Sequence, residues 1–147
     1  MMKKITYYDN AKTVMKLYLQ IEEYFKKETT ISKTLYHLIK IRASQINGCA
    51  HCLNMHTKEA LKDGESTERL FLINTWSETN LFTLKEKLVL ELTEQVTLIA
   101  DYGMSEDLYE RVLGEFSDKE YTDLILIINQ INSWNRLSIS HFNTVDK

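Results

Sequence analysis

The ten residues Asn47 to His56, NGCAHCLNMH, hold both cysteines of the chain and two of its four histidines. Cys49 and Cys52 are three residues apart, and His56 follows Cys52 by four. On a helix turning ~100° per residue, these three side chains fall within a ~60° sector. Side chains at i,i+3 and i,i+4 are neighbours, so one face presents thiol, thiol and imidazole together. His51 points roughly the opposite way if the helix has already formed there. It can turn inward if Cys49 is only the cap.

Three forces favour thiolate on such a face. A helix N-terminus carries partial positive charge and unpaired amides. His56 can take the thiol proton or sit beside the thiolate as imidazolium. In a Cys-X-X-Cys pair, one thiol stabilises the other and can later trap it. Thiolate attacks peroxides and disulfides, and a nearby second thiol condenses with the sulfenic acid before it is over-oxidised. Residue types alone leave open which cysteine attacks. Cys49 is nearer the helix start, whereas Cys52 is better placed for His56.

Two other readings compete. A zinc site would take Cys49, Cys52, His56 and a fourth ligand such as His37, but structural zinc sites usually draw on a second recognisable pair, and none is present. The cysteines can also be small buried hydrophobes.

Elements must hold this face in place. Proline is absent and glycine occurs four times in 147 residues, too few for a strand-and-turn fold. The apolar spacing is helical nearly throughout, which predicts an all-α, single-domain bundle of about six to seven helices. A first helix is expected over about 11–27, with Val14, Leu17, Ile21 and Phe25 inward. A second runs from about Ser32 to Gln45 and is stopped by Asn47-Gly48. A third runs from near Cys49 to Asp63-Gly64, and a fourth covers about 67–77, with Leu70, Phe71, Ile73 and Trp76. The fifth opens on the capping box Thr83–Glu86 and runs to about Asp101. A short helix follows over about 106–116. Ser117–Glu120 is a second capping box, opening a last helix to about Leu137.

The bulk numbers exclude several classes. Net charge is −3, which gives no electrostatic reason to expect nucleic acid as a partner. The densest apolar run, Leu124 to Ile128, is far short of the ~20 residues that span a bilayer. The N-terminal MMKKITYYDN lacks an apolar signal region. A cytoplasmic protein is expected, with no membrane partner, and in that reducing compartment a close cysteine pair reads as redox or metal chemistry.

The stretch LIKIRASQINGCAHCLNMHTKEALKDGE, Leu38 to Glu65, resembles the core of the alkylhydroperoxidase D-like (AhpD-like) proteins of the carboxymuconolactone decarboxylase superfamily. FTLKEKLVLELTEQVT (Phe82 to Thr97), the FSDKE of the last cap and the terminal INSWNRLSIS are similar to the same group, so about 10–140 is covered. The resemblance implies an all-α homo-oligomer (dimer, trimer or hexamer). It implies a peroxidatic Cys52, a resolving Cys49 and a proton relay through His56, with His51 as a further relay candidate. It implies small organic hydroperoxides as substrates and an external dithiol, thioredoxin-like or lipoyl reductant. No cofactor is needed, because the cysteines are the redox centre. The superfamily's decarboxylase branch does not depend on a CxxC pair, which is intact here.

One position departs from the pattern. The family relay uses a glutamate twelve residues before the first cysteine, where this chain has His37. A neutral histidine can orient His56 but cannot supply negative charge. Loss of that charge would weaken a peroxidase, or would suit a redox-sensing protein whose disulfide switches packing without turnover. Glu91 and Glu94 are candidates to replace the carboxylate. Asn135 and Arg136 of the terminal motif read as structural or interface residues before catalytic ones, and His141, beyond it, as irrelevant to the chemistry.

Overall fold

Helices start where a side chain can accept from the orphan amides of a first turn, and six do so here on Ser or Thr. The structure is a computed structural model and describes residues 1–146. Its elements are α1 (Tyr7–Asn10), α2 (Lys12–Lys27), α3 (Lys33–Asn47), α4 (Ala50–Lys62), α5 (Thr67–Leu72), a 3-10 helix (Ile73–Glu78), α6 (Leu84–Thr97), α7 (Ile99–Tyr102), α8 (Glu106–Leu113) and α9 (Asp118–Ser140). No strand occurs among the described residues. Six of these helices have eight residues or more, in line with the all-α bundle expected. Both predicted capping boxes are present, at Thr83–Glu86 and Ser117–Glu120.

Helix α3 is central. It packs on α4, α6 and α9. Leu35, Ile39 and Ala43 join a core with residues of α6, α8 and α9, including Leu92, Leu108 and Ile128. Leu38 and Ile41 join a second core with Ala60, Leu70, Ile73, Phe82 and Leu90. Each fully buried Leu or Ile contributes roughly 1.5–3 kcal/mol. Because α3 is covered on all sides, its polar residues are buried as well, including His37, Lys40 and Ser44.

Several sequence expectations are corrected. On α2, Val14, Leu17 and Ile21 face outward at 50%, 55% and 40% exposure, while Met15 and Phe25 are buried. Polar contacts decide this rotation: Tyr18 bonds Ser133 and Glu22 bonds Lys40, both across helices. The expected fourth helix divides into α5 and the 3-10 turn, with Thr75 at the non-helical φ −120°, ψ 25°. Phe71 is exposed on it. The fifth divides at Leu98 (φ −101°, ψ 26°) into α6 and α7. The last helix continues to Ser140, where His141 caps it and makes a T-shaped ring contact with Tyr7 from α1, an element the apolar pattern did not reveal.

At the corner between α3 and α4, Gly48 takes φ 70°, the left-handed conformation expected of it. Asn47, just before it, donates to the side chains of Asn132 and Asn135 on α9, both at 2.9 Å. Asn135 is fully buried and donates to Ser44 Oγ at 3.0 Å. Asn132 donates to Thr97 Oγ1 at 3.0 Å. This amide network clamps the corner that carries the cysteines, so Asn135 has the structural role expected of it. Arg136 is exposed and, among the described residues, bonds only Asn132.

Candidate active site

Cys49 is the N-cap of α4, and its sulfur accepts from the Cys52 amide at 3.3 Å. The two sulfurs are joined as a disulfide, with Cα atoms 5.4 Å apart. Both residues are buried. A cavity of about 780 Å³ opens beside them, and Cys52 lines it while Cys49 does not. His51 and His56 line the same cavity. His51 therefore turns inward, as a position two residues past the cap, in the first turn, permits.

His56 is buried, and its Nδ1 lies 3.0 Å from Glu59 Oε2. Burial pushes the imidazole below its usual pKa, and the bond to Glu59 opposes this only in part. His56 is thus neutral at neutral pH. With its Nδ1–H donated to Glu59, it holds a lone pair at Nε2, which has no hydrogen bond among the described residues. In return, the bond from His56 holds Glu59 below the usual carboxylate range.

Glu59 is therefore the carboxylate of this histidine, and it comes from one turn along the same helix. Glu91 and Glu94 do not serve. Glu91 pairs with Arg111 at 2.8 Å, and Glu94 with Arg42 and the Trp76 indole, both at 2.8 Å. The i,i+3 spacing of His56 and Glu59 was readable in the sequence. The assumption that the carboxylate must come from another helix hid it.

His37 also lines the cavity. Its Nε2 lies 2.8 Å from Asp63 Oδ2, and its buried Nδ1 has no partner among the described residues. His37 thus answers to Asp63 at the end of α4, and it makes no hydrogen bond to His56. The four ligands of a zinc site are not brought together: Cys49 stays out of the cavity wall and His37 is committed to Asp63. No group of three or more His, Cys, Asp or Glu side chains is placed to hold a metal among the described residues.

A buried ion pair completes the wall. Lys40 is 1% exposed and donates to both oxygens of Glu22, at 2.8 and 2.9 Å. Burial raises Glu22, but the Lys40 charge and hydrogen bonds from Lys40, Tyr36 and Trp134 outweigh it and keep the carboxyl ionised. Burial likewise lowers the Lys40 ammonium, against the pull of Glu22. Sequence reading missed this pair. Its one signal was a lysine inside the densely apolar stretch 35–43, and the partner lies on another helix.

Comparison with known proteins supports the same architecture. Residues 12–95 match the model of the carboxymuconolactone decarboxylase family. The chain is 44% identical to the uncharacterized protein YdfG of Bacillus subtilis over 140 residues, covering 95% of each. It superposes on a protein of unknown function from Agrobacterium tumefaciens, a candidate antioxidant defence protein AhpD, with a TM-score of 0.93 at 33% identity, over 99% of each chain. An uncharacterized peroxidase-related protein from Silicibacter sp. TM1040 shares the fold at a TM-score of 0.79 and 16% identity, over 90% of this chain and 70% of that one. No helix among the described residues is long and apolar enough to cross a membrane.

Proposed function

The chain belongs to the carboxymuconolactone decarboxylase family as an AhpD-like member, and from that premise we propose that it is a cytoplasmic thiol peroxidase acting on organic hydroperoxides. One observation carries the reading: of the two cysteines, Cys52 alone lines a cavity that it shares with a buried, neutral histidine. The cavity volume lies within the ~300–1,000 Å³ of small-molecule sites, and Phe25, Tyr36 and Trp134 give it apolar walls.

In the reduced protein, His56 Nε2 takes the proton of the Cys52 thiol. The thiolate attacks the terminal oxygen of ROOH, the O–O bond breaks, and the leaving alkoxide takes a proton from the His56 imidazolium. The products are Cys52 sulfenic acid and ROH. The Cys49 thiol then attacks the Cys52 sulfur, the disulfide forms and water leaves. An external dithiol reduces the disulfide and closes the cycle.

The test is consumption of cumene hydroperoxide by the reduced protein with excess dithiothreitol. Steady consumption beyond two equivalents supports the reading. No consumption removes it and moves the cysteine pair to the switch without turnover.

Glu59 gives a second test. In Glu59→Gln, the charge that opposes burial at His56 is lost, so the imidazolium is less favourable and the imidazole is a weaker base. The rate of thiol oxidation is expected to fall about tenfold. The acidic limb of its pH profile is expected to move to lower pH, because His56 protonates later. A stopped-flow pH series reads both, and an unchanged limb removes Glu59 from the relay.

The outward face of α2 fits a homo-oligomer. Val14, Leu17 and Ile21 form an apolar stripe at helical spacing, which a second copy would cover. Light scattering is expected to show an assembly in the wild type and a shift toward monomer in Leu17→Lys. A monomeric wild type rejects this assignment.

A further inference from the structure

Glu22 and Lys40 are unequal partners. The Glu22 carboxylate accepts two bonds from Lys40, one from Tyr36 Oη at 2.5 Å and one from Trp134 Nε1 at 2.8 Å. These four bonds fill the capacity of a carboxylate. Glu22 has nothing left to offer a substrate or a proton. Lys40 has three N–H donors and gives two of them to Glu22. Its Nζ also sits 4.7 Å from the Tyr36 ring centroid. One N–H remains, on a residue that lines the cavity with Cys52 and His56. Of the pair, Lys40 bears more strongly on His56 and Glu59 than Glu22 does.

A buried ion pair is a weak stabilising device, because desolvation of both ions offsets their attraction, and an apolar pair of similar shape often serves as well. Packing alone does not call for an ammonium in the wall of a cavity that a reactive thiol shares. We infer that the Lys40–Glu22 pair is the electrostatic positioning element of the thiol site: the Lys40 ammonium favours the Cys52 thiolate, and Glu22 holds that ammonium in place from α2. The inference rests on the proposed thiol chemistry of Cys52. It makes Lys40 a positioning residue, with no step of its own in the reaction.

Other groups around the thiol leave this role to Lys40. On α4, Glu59 is engaged by His56 and its negative charge disfavours thiolate. His51 faces the cavity with no hydrogen-bond partner among the described residues. Lys62 is exposed at the rim, and Asp63 is occupied by His37 and, at 3.8 Å, by Lys33. On α2, Lys26 is exposed and pairs with Glu23 at 3.7 Å. Burial raises the phenols of Tyr8 and Tyr36 and so keeps both neutral. From α9, the cavity receives only Trp134 and Ser138, neither of them ionisable.

The test reads thiolate directly. In a Cys49→Ser background Cys52 is the sole thiol, and its iodoacetamide alkylation rate is followed from pH 5 to 9. Three changes are added to that background: Lys40→Met, Lys40→Met with Glu22→Gln, and Lys40→Arg. The double change leaves no buried charge unpaired and keeps similar volume, so it folds even if Lys40→Met does not. The midpoint is expected to rise by about one pH unit without the ammonium. Alkylation at pH 7 is expected to slow roughly tenfold, and Lys40→Arg to stay near the parent. An unchanged midpoint in the folded double variant overturns the inference. Wild-type peroxide consumption is measured alongside. No consumption with a raised midpoint rejects the peroxidase reading and leaves the Lys40 role standing. Consumption with an unchanged midpoint does the reverse.

Discussion

Cys52→Ser is expected to abolish hydroperoxide consumption, with a loss of about three orders of magnitude or more. A serine hydroxyl does not ionise near neutral pH, and thiolate is the nucleophile. His56 beside it can take a proton but cannot make an alkoxide reactive toward the O–O bond. Cys49→Ser is expected to behave differently. Cys49 stays out of the cavity wall, so its loss leaves the first step in place. Pre-reduced and freed of dithiol, that variant should consume one equivalent of hydroperoxide and stop, with a sulfenic acid that dimedone captures on Cys52. Serine also keeps an oxygen at the N-cap of α4, so the helix start is preserved. Mass spectrometry of the dimedone adduct separates the two cysteines. A burst retained in Cys52→Ser, or an adduct on Cys49 in wild type, would reverse their roles.

The second large effect is on stability. Asn135→Ala removes the donor to Ser44 Oγ and one of the two acceptors of the Asn47 amide, at a position that is itself fully buried. Ser44 Oγ keeps its bond to the Lys40 carbonyl and the Asn47 amide keeps Asn132, so the cost is two hydrogen bonds, about 0.5–1.5 kcal/mol each, plus a small cavity. A loss of roughly 2–4 kcal/mol overall is expected, which lowers Tm by about 5–15 °C for a domain of this size. Arg136→Ala, at an exposed neighbour, is expected to cost under about 1 kcal/mol. Calorimetry of the pair measures the contrast. Equal melting temperatures would show that the amide network does not clamp the corner. Activity is expected to fall with stability in Asn135→Ala, because the network holds Asn47, two residues before Cys49.

Much of this protein was legible along the chain because its determinants are local. Caps at Ser32, Ser66, Thr83, Ser105 and Ser117, and the left-handed Gly48, set the starts and stops of the helices through neighbouring amides. The Cys49, Cys52 and His56 face follows from helical spacing alone. His56 and Glu59 belong to the same class, since one turn of helix joins them. Tertiary structure decided what depends on the surroundings of a helix. The rotation of α2 turned on the polar partners Ser133 and Lys40, which outweighed an equally good apolar face in Val14, Leu17 and Ile21. His37 and Lys40 are buried because α3 is covered on every side, a fact that no single helix records. The choice of Cys52 over Cys49 at the cavity wall likewise needs α2, α3 and α9 in place around α4. Spacing placed the two thiols on one face, and only packing decided which of them meets the cavity.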